Sequence, residues 1–167
     1  TDVMLVLDRS GSINASELSA LKTAAHSFVD ALNPDGGNHI GQVKFSTYGQ
    51  LALHLTGDKT AIDAAIDALT TGGLTNLFEG ITNASDELKD THLIHERPLV
   101  PDFMIIITDG NPNLPTPQTA QAQAKSAADA AKAAGITIYV VGVGSDVDGE
   151  YLKTIASGDD HYFPVVD

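Results

Sequence analysis

Residues 3–12 read VMLVLDRSGS, from Val3 to Ser12. The apolar run from Val3 to Leu7 is short and does not alternate with polar residues. Such a run marks a strand buried on both faces, as in a parallel sheet. It stops at the carboxylate of Asp8, followed by hydroxyls at alternate positions, Ser10 and Ser12. Ligands of open α/β sheets bind beyond the carboxyl ends of the strands. The opening strand is therefore read as one that delivers Asp8, Ser10 and Ser12 to a crevice.

The rest of the chain repeats that pattern. Asn14 with Glu17 three residues on is a capping box. It opens a helix predicted to run to about Leu32, with Leu18, Leu21, Ala25, Phe28 and Val29 at helical spacing. Ile40 to Ser46 and Leu51 to Leu55 read as strands joined by a short link, a hairpin that makes one sheet edge antiparallel. Asp58 to Leu69 reads as a short helix. A glycine-rich loop, residues 71–76, opens another helix carrying Leu77, Phe78, Ile81, Ala84 and Leu88. Asp90 to Pro101 is an irregular connector. Asp102 to Thr108 is a second buried strand, and it too ends in a carboxylate, at Asp109-Gly110. After a loop with Pro112, Pro115 and Pro117, the pair Thr116-Pro117 predicts the start of an Ala-rich helix to Ala134, stopped by Gly135. Ile136 to Val143 is a third buried strand, Asp148 to Ser157 a last helix and His161 to Val166 a last strand. Alternating strands and helices predict one compact α/β domain with its sheet covered on both faces.

Composition limits the function classes. With 167 residues, 43% hydrophobic and 5% aromatic, the chain suits a single domain with an aliphatic core. It has no cysteine, which excludes disulfides and thiolate metal sites and leaves the redox compartment open. A net charge of −13 argues against nucleic acid and against an anionic membrane surface. It is also what plain solubility asks for. No apolar run reaches membrane-spanning length, and no signal peptide is recognisable. Because Thr1 is not a Met and stands at the edge of a core strand, we expect residues 1–167 to be one domain excised from a longer protein.

Three distant segments thus bring oxygen donors to one end of the sheet: Asp8, Ser10 and Ser12, then Thr75, then Asp109. Taken singly, each has an ordinary reading as a strand-end cap, a turn, a helix cap or an Asp-Gly turn. Taken together, two carboxylates and three hydroxyls form a hard donor set that suits Mg²⁺, Mn²⁺ or Ca²⁺ rather than zinc. Hydroxyls add no charge, so an ion held there stays electrophilic, and an open position on it would attract a carboxylate from outside.

In this order, DVMLVLDRSGSI, GGLTN and MIIITDG resemble the von Willebrand factor A domain family, with a likeness to integrin I-like domains. The likeness extends over essentially the whole chain, including Tyr139 to Gly144 and the stretch Ala156-Ser157 to Tyr162-Phe163. It implies a Rossmann-like three-layer α/β/α sandwich whose six-stranded, mostly parallel sheet has one antiparallel edge strand. It also implies a metal-ion-dependent adhesion site in which Asp8, Ser10, Ser12, Thr75 and Asp109 are all intact. One divalent cation is then expected, Mg²⁺ first and Ca²⁺ or Mn²⁺ as alternatives. Ser10 and Ser12 would bind it directly, and Thr75 and Asp109 directly or through water. The implied partner is a protein presenting an Asp or Glu carboxylate, bound by a monomeric, non-enzymatic module at the cell surface or outside the cell.

Other features carry less. Arg9, one of two arginines, sits inside the first loop, where an outward side chain would offer a positive patch to an acidic ligand. Gly142-Val-Gly144 lacks the spacing of a dinucleotide loop. The stretch Asp146 to Glu150 lacks that of a calcium loop and suits a helix N-terminus. Asn111 and Asn113 lie near the site, where a ligand contact and a proline-rich turn explain them equally. His92, His95 and Glu96 do not form a zincin motif, and His26, His39, His54 and His161 show no metal spacing. Two other functions suit parts of the pattern. One is an intracellular interaction module of an ATPase or chelatase-type assembly. The other is a Mg-dependent phosphotransferase with Asp8 as nucleophile. For the second, Ser10 stands where a general-acid Asp would be wanted.

Overall fold

The computed structural model describes residues 1–89 and 97–165. The predicted histidine stretch from His92 to Glu96 and residue Val166 lie outside the described residues.

Strand β1 (Asp2–Asp8) is buried along its whole length. Its side chains alternate between two cores. Val3, Leu5 and Leu7 meet helices α1 (Ala15–Leu32) and α2 (Lys59–Asp67). Met4 and Val6 meet α3 (Leu77–Leu88), α4 (Ala120–Ala133) and α5 (Gly149–Ile155). Its apolar run is unbroken because both faces are covered, which is the parallel-sheet condition. With β2 (His39–Phe45), β3 (Gly49–Thr56), β4 (Asp102–Thr108), β5 (Thr137–Val143) and β6 (Tyr162–Val165), it forms a six-stranded sheet of order β3-β2-β1-β4-β5-β6. Only the β2–β3 pair is antiparallel. Strand β1 lies between β2 and β4, so the carboxyl ends of those three strands emerge side by side.

Local signals agree with the sequence at most boundaries. Asn14 Oδ1 accepts from Glu17 N at 2.8 Å, and Glu17 accepts back from Asn14 N at 3.2 Å, closing the predicted capping box. The four alanines Ala120, Ala124, Ala128 and Ala131 are the buried face of α4, where small side chains let the helix lie close on the sheet. The start of α4 differs from expectation. Thr116-Pro117 begins a turn, and the Thr116 carbonyl accepts from both Thr119 N (3.1 Å) and Ala120 N (2.8 Å). The helix proper begins at Ala120, because the first turn is tightened onto one acceptor. The cap of α3 is Asn76, whose side chain accepts from Glu79 N, so Thr75 does not serve as the helix cap of its ordinary reading.

Helices α1 and α2 are clasped by one histidine. His26 Nδ1 lies 2.9 Å from Asp63 Oδ1, and Nε2 lies 2.8 Å from Asp67 Oδ1. Only the imidazolium can donate to both. Partial burial opposes the charge, but the bonds to Asp67 and Asp63 outweigh it and raise the histidine above its usual 6.5. A raised cation stabilises the fold fully below its unfolded pKa and is lost as pH climbs through the folded value. His26→Gln should therefore lower the unfolding free energy measured in urea by about 0.5–1 kcal/mol near pH 5.5, with the gap closing near pH 8.5. A gap that does not change with pH would show that the clasp is not ionic.

Candidate metal centre

The first loop leaves β1 at Asp8, whose side chain is wholly buried. Its two oxygens are both engaged. Oδ1 accepts from Ser10 N at 2.8 Å, and Oδ2 accepts from the Thr108 hydroxyl at 2.7 Å. Thr108 is held in turn, since its Oγ1 accepts from Gly110 N at 3.2 Å. The register explains the meeting: Leu7 pairs with Ile107, so the next residues along, Asp8 and Thr108, come level at the strand ends. Ser10 is buried, and its Oγ lies 3.1 Å from the exposed Ser12 Oγ.

The second loop is stitched to the first through the backbone. Gly11 N donates to Gly73 O and Gly72 N to Arg9 O, each at 2.9 Å. Gly73 has φ +89°, and a Cβ there would stand 2.7 Å from Thr47 Oγ1, so both conformation and space demand glycine. The third loop clamps the second. Thr75 N donates to Asn113 Oδ1 at 2.9 Å, while Asn113 N and Leu114 N donate to Thr75 O at 2.9 and 3.1 Å. Asn113, which the sequence left between two readings, is thus a positioning residue for Thr75.

Ser12, Thr75 and Asp109 line one cleft of about 380 Å³. Asp8 and Ser10 are buried behind that lining: Ser10 Oγ contacts Ser12 Oγ, and Asp8 is close enough to Asp109 to be repelled by it. All five residues singled out in the sequence therefore converge. The cleft also contains Glu17, Leu74, Asn111 and Asp146. Glu17 was legible only as a cap and Asp146 only as a residue near a helix start. Neither reading placed them here. Thr108 had no signal beyond being a polar end to an apolar strand.

Arg9 departs from expectation. Its Nε donates to Thr70 O at 2.7 Å and its Nη1 to Ser46 Oγ at 2.9 Å. The guanidinium braces the loop before Gly72 against the β2–β3 hairpin and offers no positive patch at the cleft.

Electrostatics define what the cleft can accept. Burial first, and then the Asp109 carboxylate, push the Asp8 carboxyl up to about 7, against the bonds from Ser10 and Thr108 that pull it down. No Lys, Arg or His lines the cleft to offset this charge. Two converging carboxylates with three hydroxyls beside them fit one hard divalent cation, which would relieve the repulsion. Among the described residues there is no group of three or more His, Cys, Asp or Glu suited to a metal. A cation here would rest on two carboxylates and on hydroxyls, the combination read from the sequence.

A Rossmann-like sheet with a hydroxyl- and carboxylate-lined cleft at its carboxyl edge defines an α/β/α domain of the open-sheet class. Residues 2–167 match the von Willebrand factor type A domain model, and the chain belongs to that family. It is 32% identical to matrilin-3 of Gallus gallus, an alignment covering 98% of this chain and 36% of that protein. More widely, it spans less than half the length of such curated relatives. The von Willebrand factor domain of the type V pili tip protein Mfa5 from Porphyromonas gingivalis superimposes with a TM-score of 0.82 at 17% identity, covering 99% of this chain and 89% of that one, a likeness of fold. Proximal thread matrix protein 1 from the mussel byssus, solved with a zinc-occupied MIDAS motif, superimposes with a TM-score of 0.77 at 27% identity, covering 98% of this chain and 40% of that one. Donor hardness in the sequence pointed to Mg²⁺, Mn²⁺ or Ca²⁺ and away from zinc. In the mussel protein, that ion occupies the motif, and Zn²⁺ does accept oxygen ligands.

The Asp8 shift gives a sign-specific outcome in the presence of a chelator. A carboxyl raised from 3.8 to about 7 binds its proton more tightly in the folded state. Stability then falls as pH rises from about 4 to about 7. With chelator, the unfolding midpoint of the protein should rise relative to Asp8→Asn as pH is lowered from about 8 to about 5. Parallel pH profiles for the two proteins would contradict this account of Asp8.

Proposed function

We propose that this domain is a divalent-cation-dependent protein-binding module, not an enzyme. The observation that carries this reading is the cleft lined by Ser12, Thr75 and Asp109 and by no basic side chain, with the buried Asp8 carboxyl behind it close enough to feel the Asp109 charge. Asp8 and Asp109 supply the negative charge that matches one divalent ion, Mg²⁺ first and Ca²⁺ or Mn²⁺ as alternatives. Ser10, Ser12 and Thr75 supply neutral oxygen donors. The Ser10 amide and Thr108 hold Asp8, and Asn113 holds Thr75. When bound, the ion supplies a positive centre open to an Asp or Glu carboxylate of a partner protein. A phosphotransferase role is disfavoured because Asp8, the nucleophile that reading needs, is buried with both oxygens hydrogen-bonded, and Ser10 stands where its general-acid Asp would be wanted.

The relatives support the same direction. A matrilin, a collagen VI chain and pilus tip and adhesin proteins share the domain's sequence or fold. We propose that the domain works outside the cell or on its surface, as a monomeric part of a longer protein. With a net charge of −13, neither nucleic acid nor an anionic membrane is its partner.

Calorimetric titration tests the cation. Mg²⁺ should bind wild type at one site and raise its unfolding midpoint. Asp109→Ala should weaken that binding by at least about tenfold, the lower end of what loss of a supporting group costs a metal site. If Mg²⁺, Mn²⁺ and Ca²⁺ all fail to bind the folded wild type, the proposal is wrong.

A further inference from the structure

A second recess, of about 400 Å³, lies between the β2–β3 hairpin and the C-terminal end of α2, and it shares no lining residue with the cleft above. A bulge shapes it. Gln42 pairs with Leu53 and Val43 with Leu51, so β3 carries Ala52 as an extra residue between the two pairs. Neighbours on a regular strand point to opposite faces, yet Leu51 and Ala52 both line this recess. Ala65 of α2 and Leu69 just beyond it close the other side.

Two polar groups in the recess lack partners. Gln42 is 1% exposed. Its Nε2 donates to Ala65 O at 3.3 Å, which orients the amide, and its Oε1 is buried with no hydrogen bond. An acceptor shut away from water without a donor is costly, and a group that donates to it relieves that cost. Lys44 is half-buried and stands two residues along β2, on the same face. Among the described residues it is the one Lys or Arg held by neither an ion pair nor a hydrogen bond. Acids outnumber bases 22 to 9 in the chain, yet no Asp or Glu lines the recess. An acidic domain thus keeps its unpaired cation in a hollow without acids, beside an unpaired acceptor.

We infer that this recess binds a small monoanionic acid: its carboxylate pairs with Lys44, and an amide N–H on the adjoining carbon donates to Gln42 Oε1. A short apolar side group then packs on Leu51 and Leu69. This is the chemistry of an N-acyl amino acid and, equally, of the last residue of a peptide. Residues two apart on a strand stand about 7 Å apart, so one small molecule reaches both groups. One lysine matches one negative charge, and a phosphate dianion would stay partly uncompensated on a domain carrying −13.

NMR titration tests it, in chelator so that no cation elsewhere holds the carboxylate. N-acetyl-leucine is compared with N-acetyl-leucinamide, which lacks the charge, and with 4-methylpentanoate, which lacks the N–H. N-acetyl-leucine should bind at least about tenfold more tightly than either and shift the amide signals of Leu51 and Leu69. Lys44→Met keeps an unbranched stem and removes the charge. It should weaken N-acetyl-leucine at least about tenfold and leave N-acetyl-leucinamide within about twofold. Gln42→Met keeps the volume and removes the unpaired acceptor. It should erase the preference over 4-methylpentanoate without lowering the unfolding midpoint. The inference is overturned by equal binding of N-acetyl-leucine and its amide, by binding that Lys44→Met leaves unchanged, by a preference that survives Gln42→Met, or by no binding at millimolar concentration. An acetylated Gly-Ser-Gly-Leu peptide separates the two sources. Affinity equal to that of N-acetyl-leucine supports a peptide C-terminus, and a loss of more than about tenfold supports a free small acid.

Discussion

The Asp8 carboxylate ends a strand that the core has pulled fully out of water. Five apolar side chains precede it, each worth about 1.5–3 kcal/mol on burial. Holding the carboxyl ionised at neutral pH opposes this by on the order of 4 kcal/mol, from a shift of 3.8 to about 7. Strand β1 stays buried all the same, and its last residue takes an environment that no isolated carboxylate would choose. The bonds from the Ser10 amide and the Thr108 hydroxyl lessen that cost, and they also orient the carboxylate. The site is therefore an outcome of strand burial, with a charge deficit built in behind its lining.

Around that carboxylate, the loops hold one another through backbone groups. Gly11 and Gly73, Gly72 and Arg9, and Thr75 with Asn113 and Leu114 form a continuous set of bonds across three connections. Arg9 secures the outer side by reaching Thr70 and Ser46. Donors fixed in this way lose little freedom when a ligand arrives, which is the benefit of preorganisation. Asp109, half-buried, and Ser12, exposed, are left facing the cleft, where chemistry from outside can reach them.

Much of this was legible in the residues. The unbroken runs Val3 to Leu7 and Phe103 to Ile107 announced central parallel strands, because burial on both faces removes the alternation of a half-exposed strand. The capping box at Asn14 and Glu17 was readable because it is a contact between residues three apart. Thr116-Pro117 misled by three residues for the same local reason. A cap followed by Pro describes a turn as well as a helix start, and only packing of Ala120 onto the sheet selects between them. Arg9 misled differently. Its partners Thr70 and Ser46 are remote in sequence, and nothing around residue 9 forecasts them.

By itself, the sequence determined which residues are oxygen donors, that they close buried strands and a glycine-rich loop, and that the domain is acidic. These are properties of composition and short-range pattern. Tertiary structure alone decided the strand order β3-β2-β1-β4-β5-β6, and with it everything about the site that depends on neighbours. Placing β1 between β2 and β4 brings Thr108 onto Asp8 and Asp109 within repulsive range. Placing β5 next to β4 brings Glu17 and Asp146 to the same cleft, and turns a helix cap and a loop acid into part of its wall. Electrostatic interactions depend on distance in space, and only the fold sets that distance for residues a hundred positions apart.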